Sequence, residues 1–175
     1  MNYYIGDLHF GHKNIIDFEQ RPFASVEEMD ISLIQAWNKK VKEEDSVYIV
    51  GDFAYKNARP EEWYLRQLKG KKYLIIGNHD GRLLKNEAAM SYFEKVDKMM
   101  HVMDDKDHIS ICHFPIAEWN GYHKGSWHIY AHVHNKKTDA VNYMLTLEKA
   151  LNAGCMLNNY EPASLQEMIK NRRKY

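Results

Sequence analysis

The amino-acid sequence predicts an α/β fold in which a largely parallel sheet packs on a second, mixed one. Three observations predict it. Short apolar runs recur along the chain, each stopping abruptly in polar, metal-capable residues. Segments of helical period separate the first three runs, whereas from Val96 onward short strand-like runs follow one another. Strands alternating with helices build βαβ units, and successive strands build a mixed or antiparallel sheet.

The first run, Tyr3, Tyr4 and Ile5, leads into Gly6, Asp7, Leu8 and His9. Runs of about four β-branched or aromatic residues bounded by turn formers read as buried strands. Ser25 and Glu28 then form a capping box, and Val26, Met29, Leu33, Ile34, Trp37 and Val41 follow at helical spacing. The second run, residues 47–50, ends in Gly51 and Asp52. Pro60 opens a helix through Trp63 and Leu68 that Gly70 stops. The third run, residues 73–76, ends in Gly77, Asn78, His79 and Asp80, and Leu83, Leu84 and Ala88 suggest another helix. Later strands are expected at about 96–103, 107–112, 127–131, 140–145 and 152–157. Ser164 and Glu167 form a second capping box that starts a terminal helix.

The 175 residues suit a single domain, 1–175, with no repeat or Pro/Gly/Ser-rich linker dividing it. An apolar fraction of 45% fits a folded globule. Lys+Arg and Asp+Glu balance at 24 each, so no global basic field gathers nucleic acid by charge alone. Cys112 and Cys155 form no paired motif and read as reduced, buried thiols. The first residues lack a secretory signal, and no apolar stretch approaches the roughly 20 residues of a membrane span. A cytoplasmic protein without membrane partners is expected.

Ligand chemistry is concentrated at the ends of the runs. Asp7 and His9 are two apart, as are His132 and His134, so each pair shares one side wherever extended geometry persists. Asp52, Asn78 and His113 each stand just past a strand, and in open α/β sheets the functional crevice lies at the carboxyl ends of strands. Carboxylate, imidazole and amide oxygen without thiolate suit Mn, Fe, Zn, Ni or Co in an open, hydrolytic site. Seven donors are too many for one ion and suit two. Two divalent ions about 3.5–4 Å apart are the apparatus of phosphoester hydrolysis.

D-x-H at 7–9, G-D at 51–52, G-N-H-D at 77–80, an isolated His113 and x-H-x-H at 131–134 occur in one order. In that order they resemble the calcineurin-like metallophosphoesterase superfamily, in particular its small bacterial and phage-type members. The resemblance implies an α/β fold of two mixed β-sheets packed as a sandwich and flanked by helices. It implies that Asp7, His9 and His134 bind a first metal, that Asn78, His113 and His132 bind a second, and that Asp52 bridges them. His79 is then the catalytic residue, acting as general acid for the leaving oxygen or as a cationic stabiliser of the transition state. Two positions depart from the family pattern. Ala131 replaces the usual Gly before the last histidine pair, and Tyr55 stands where the protein-phosphatase branch has the Asp that orients its histidine. Asp80 is left as the candidate orienter.

Substrate contacts are expected from Asn78, His12 and Arg21. His12 follows D-x-H in a Gly-containing loop near a helix start, where anions are favoured, and the alternative is a plain helix-start residue. Arg21 is a candidate phosphate contact or a surface arginine. Trp119, Asn120, Tyr122, His123, Lys124 and Trp127 could stack a base or only pack their loop. His101, His108 and His128 read as surface or satisfied core. The basic tail of residues 170–174 reads as a solvated end. The expected function is hydrolysis of a small phosphate ester, a phosphodiester such as a cyclic or small nucleotide ahead of a monoester. The alternatives are a nuclease on single-stranded nucleic acid and a non-catalytic metal-binding scaffold on the same fold.

Overall fold

The computed structural model describes residues 1–172, so Arg173 and Lys174 of the basic tail lie outside the described residues. In chain order the elements are β1 (Asn2–Ile5), α1 (Lys13–Glu19), α2 (Val26–Lys40), β2 (Ser46–Ile49), α3 (Glu61–Leu65), β3 (Lys71–Ile75), α4 (Glu87–Met90), β4 (Phe93–Asp97), β5 (Met99–Asp104), β6 (Asp107–Cys112), β7 (Trp127–Tyr130), α5 (Asp139–Thr146), β8 (Ala150–Asn152) and α6 (Leu165–Arg172). Two four-stranded sheets run β1-β2-β3-β4 and β5-β6-β7-β8. The first is wholly parallel, in keeping with the strand–helix alternation of that half. The second is mixed, with β5 antiparallel to β6 and the rest parallel.

Strand alternation explains the layers. Tyr3 and Ile5 of β1, with Val47 and Ile49 of β2, pack under Met29, Leu33 and Trp37 of α2 and Tyr64 and Leu65 of α3. Tyr4, Tyr48, Val50 and Ile75 point the other way, against Met100, Ile109, Ile111 and Ile129 of the second sheet. On the far side of that sheet, Tyr130 and Ala150 meet Trp119, Met144 and Leu147. The strands β1, β2, β6 and β7 are therefore covered on both faces and read as continuous apolar runs, whereas β4 and β5 are largely exposed. In-register Tyr4, Tyr48 and Tyr73 stack across neighbouring strands at 5.5 and 4.9 Å. No described helix is long and apolar enough to cross a membrane.

Several boundaries differ from expectation. The stretch expected as one strand at 96–103 is two strands, β4 in the first sheet and β5 in the second, so the chain changes sheets at Lys98. The strand expected at 140–145 is helix α5. Its Thr138 hydroxyl accepts from the Val141 N–H (3.3 Å), Asp139 occupies the first turn, and Val141 and Met144 are buried three apart. The β-branched and aromatic content of that stretch hid a helical period. The expected strand 152–157 is only the end of β8 followed by a 3-10 turn, Cys155–Leu157. The capping box at Ser164 forms in full, whereas at Ser25 the hydroxyl accepts from the Glu28 N–H but the Glu28 carboxylate accepts from the Ala24 N–H (2.7 Å) in place of that of Ser25.

Candidate metal centre

The loops that follow β1, β2, β3, β6 and β7 meet at one end of the two sheets. Backbone hydrogen bonds lay the first two side by side: the N–H of Asp7 donates to Gly51 O (3.1 Å) and that of His9 to Asp52 O (3.0 Å). Gly51 has φ +76°, and a Cβ there would stand 2.8 Å from Gly77 Cα, so this close approach requires glycine. Extended geometry does not persist past the strands, which corrects the expected basis for the D-x-H and H-x-H pairs. Asp7 (φ 53°), His9 (52°), Asp52 (54°), His132 (70°) and His134 (53°) are all left-handed. Asp and His tolerate this region better than most residues, yet each instance costs on the order of 1–3 kcal/mol. Such strain gathered at one spot is a mark of function.

The structure brings the seven expected donors together in two adjoining groups. Ligand atoms of Asp7, His9, Asp52 and His134 all lie within 4.8 Å of one another. Asp52 Oδ2 is 3.6 Å from His9 Nε2 and 3.6 Å from His113 Nε2, placing it between the groups. His113 donates its Nδ1–H to Val50 O (2.8 Å) and sets its Nε2 3.1 Å from Asn78 Oδ1. With the proton on Nδ1, His113 turns an acceptor toward that amide oxygen, an arrangement that a cation bound by both atoms would satisfy. The same amide oxygen is 2.9 Å from His132 Nδ1. In the first group, Asp7 Oδ2 and both ring nitrogens of His9 are buried without a hydrogen-bond partner. Orphaned buried groups of this kind are costly, and a divalent ion satisfies them.

Electrostatics agree with that fit. Burial, with Asp52 close by, pushes the Asp7 carboxyl well above the carboxylate range. Burial also holds His9 far below the imidazole range, lowers His132, and pushes His134 down to about 4. Neutral imidazole is the form that binds metal, and a bound cation reverses the penalty on the carboxylates.

Beside the first group lies a cleft of about 370 Å³, lined among others by His12, Phe18, Tyr55, Lys56, His79 and Lys136. The His79 backbone N–H donates to Asp52 Oδ1 (2.9 Å), and its ring packs 4.3 Å from that of Tyr55. Asp80 does not orient that ring. Its buried carboxylate instead accepts from the N–H groups of Gly77 (2.7 Å), Asp52 (3.0 Å) and Phe53 (2.9 Å), bracing the two loops. His12 begins α1 and reaches the cleft wall, its ring 4.9 Å from Tyr55.

Arg21 is corrected from substrate contact to buried brace. It is 4% exposed, and it donates to Glu19 Oε2 (2.7 Å), Leu8 O (2.9 Å) and Asp7 O (2.8 Å). Trp119 is also buried, donating to Ser126 Oγ (3.0 Å), and no residue of 119–127 lines the cleft. Two residues near the site carried no sequence signal. Phe114, 44% exposed, packs 4.6 Å from the ring of His132. The buried carboxylate of Glu19 meets His134 Nδ1.

A family model described as calcineurin-like phosphoesterase matches residues 3–149. An uncharacterized protein of Methanocaldococcus jannaschii is 31% identical over 171 residues, covering 96% of this chain and 89% of the relative. The gene 66 protein of Mycobacterium phage D29 is 26% identical over 162 residues, covering 77% and 78%. A solved structure of a protein of unknown function from Aquifex aeolicus is similar at a TM-score of 0.74 and 27% identity, covering 97% of this chain and 98% of its own.

Proposed function

The chain belongs to the calcineurin-like phosphoesterase family, and from that premise we propose that it hydrolyses a small phosphodiester, such as a cyclic or small nucleotide, at a two-metal centre. The observation that carries this reading is the position of Asp52, whose one oxygen stands 3.6 Å from an imidazole of each donor group. Asp7, His9, His134 and Asp52 would hold one divalent ion, and Asn78, His113, His132 and Asp52 the other. Bound there, two ions would neutralise charge on phosphoryl oxygens and bring the pKa of water near neutrality. The oxygen and nitrogen donors suit Mn, Fe, Zn, Ni or Co.

The chain's own residues do the rest. His79 reaches the cleft with its backbone tied to Asp52 and its ring packed on Tyr55, and it protonates the leaving oxygen. Lys56 and Lys136 supply positive charge at the cleft, and His12 forms part of its wall. Two features support a diester. The guanidinium fork that would clamp a dianionic monoester is absent from the described cleft lining, because Arg21 is committed inside. Exposed Phe18, whose ring meets that of His12 edge-on, offers a face at the cleft on which a base can stack.

The test is a metal-reconstituted panel of aryl phosphomonoester, aryl phosphodiester and cyclic nucleotide. Diester turnover should lead. Monoester turnover far above diester turnover would overturn the substrate assignment, and no turnover with any metal would favour a scaffold. Steeply salt-dependent cleavage of single-stranded oligonucleotides would make the protein a nuclease. His79→Ala should retain metal and lose about 10²–10⁴ in turnover. Turnover equal to the parent's would remove His79 from the mechanism.

A further inference from the structure

Glu19 is the last residue of α1, and its side chain is 1% exposed. A carboxylate so placed is strongly unfavourable unless every oxygen is engaged. Oε2 accepts from Arg21 Nε at 2.7 Å, while Oε1 has no hydrogen-bond partner and lies directly against Nδ1 of His134, which has none either. Arg21 carries the connection onward, donating to the carbonyl oxygens of Leu8 (2.9 Å) and Asp7 (2.8 Å). One carboxylate thus ties the loop of residues 7–9 to a loop more than a hundred residues later in the chain. The His134 ring also stacks on His9, with centroids 5.2 Å apart and planes at 22°.

We propose that Glu19 is a positioning residue for the first cation: it fixes His134 with its proton on Nδ1 and so presents Nε2 to the ion. The inference rests on the two-metal reading above. A ligating histidine takes its tautomer and ring orientation from the partner of its other nitrogen, and a carboxylate is a strong partner for this purpose. The local chain conformation serves the same end. Gln20 is left-handed (φ 52°) and stops α1, so Glu19 turns inward while Phe18 stays 70% exposed. Because Arg21 holds the second oxygen, Glu19 does not swing away from His134 to find another donor.

The experiment is Mn²⁺ titration of metal-free parent and Glu19→Gln, resolving the two sites, with thermal unfolding of both proteins alongside. Glu19→Gln should still take up two ions, with affinity at one site weakened about 10–100-fold and at the other unchanged. A general loosening of the fold would weaken both. Glu19→Asp keeps the charge opposite Arg21 but shortens the reach to His134, and it should weaken the same single site. It also carries the test if the glutamine variant does not fold. Parent affinity at both sites in the variants would overturn the role of Glu19 alone. A parent that binds no Mn²⁺ would overturn this inference together with the metal centre.

Discussion

His128 is a fully buried histidine that belongs to the packing of the second sheet. Its Nδ1–H donates to Ser110 O (3.1 Å), and its Nε2 accepts from the Ile116 N–H (3.1 Å). Burial pushes its pKa down to about 4, below the ordinary 6.5. The fold therefore favours the neutral ring. That contribution is complete above pH 6.5, shrinks as pH falls, and is lost once pH has passed through about 4. It amounts to about 3 kcal/mol. Between pH 7.5 and 4.5 the urea stability of the parent should fall by about 2 kcal/mol more than that of His128→Gln, and equal losses would contradict the assignment. At this scale the seven donors were legible because their chemical types recur directly after strands. Glu19 and Arg21 were not. In sequence a helix-end glutamate and an arginine before proline look solvated, and only the fold turns them inward.

At the scale of elements, the chain just past β1 and just past β7 meets through two small residues, Gly6 and Ala131. A Cβ on Gly6 would stand 2.6 Å from the Ala131 Cβ and 3.0 Å from Val50 O. Gly6 also donates its N–H to Ala153 O (2.8 Å), locking the strand end to the second sheet. The Ala at 131 therefore leaves no room for a second methyl group across the gap. Gly6→Ala should cost about 1–3 kcal/mol and weaken Mn²⁺ binding, because the displaced segment continues into Asp7. Unchanged melting and unchanged metal affinity would show that the sheets can yield here. In the first half the three apolar strands and α2 were readable, since capping residue and period agreed at Ser25. The helix expected from Pro60 through Leu68 instead stops at Leu65, and the one expected from Leu83 to Ala88 is a 3-10 turn followed by the short α4. The second half misled at α5. Val141, Tyr143 and Leu145 suggest alternation, but the buried positions are Val141 and Met144, packed against a sheet that composition does not reveal.

For the whole molecule, the sandwich gathers loops from both sheets at one edge. Residues 7–9, 52 and 78–79 come from the parallel sheet, and 113 and 132–134 come from the mixed one. Order along the chain made this meeting point legible through a family resemblance, and the two sheets supply its physical basis. Five left-handed non-glycine donors and a set of orphaned buried atoms make the edge expensive without cations. Ions that bind only the folded chain repay this: about 2.7 kcal/mol of stability follows at a free concentration one hundred times Kd. The most direct measurement is anomalous scattering from crystals grown with Mn²⁺. Two peaks about 3.5–4 Å apart are predicted, with Asp52 between them, one against Asp7, His9 and His134 and the other against Asn78, His113 and His132. A single peak, or peaks away from these residues, would contradict the two-metal account.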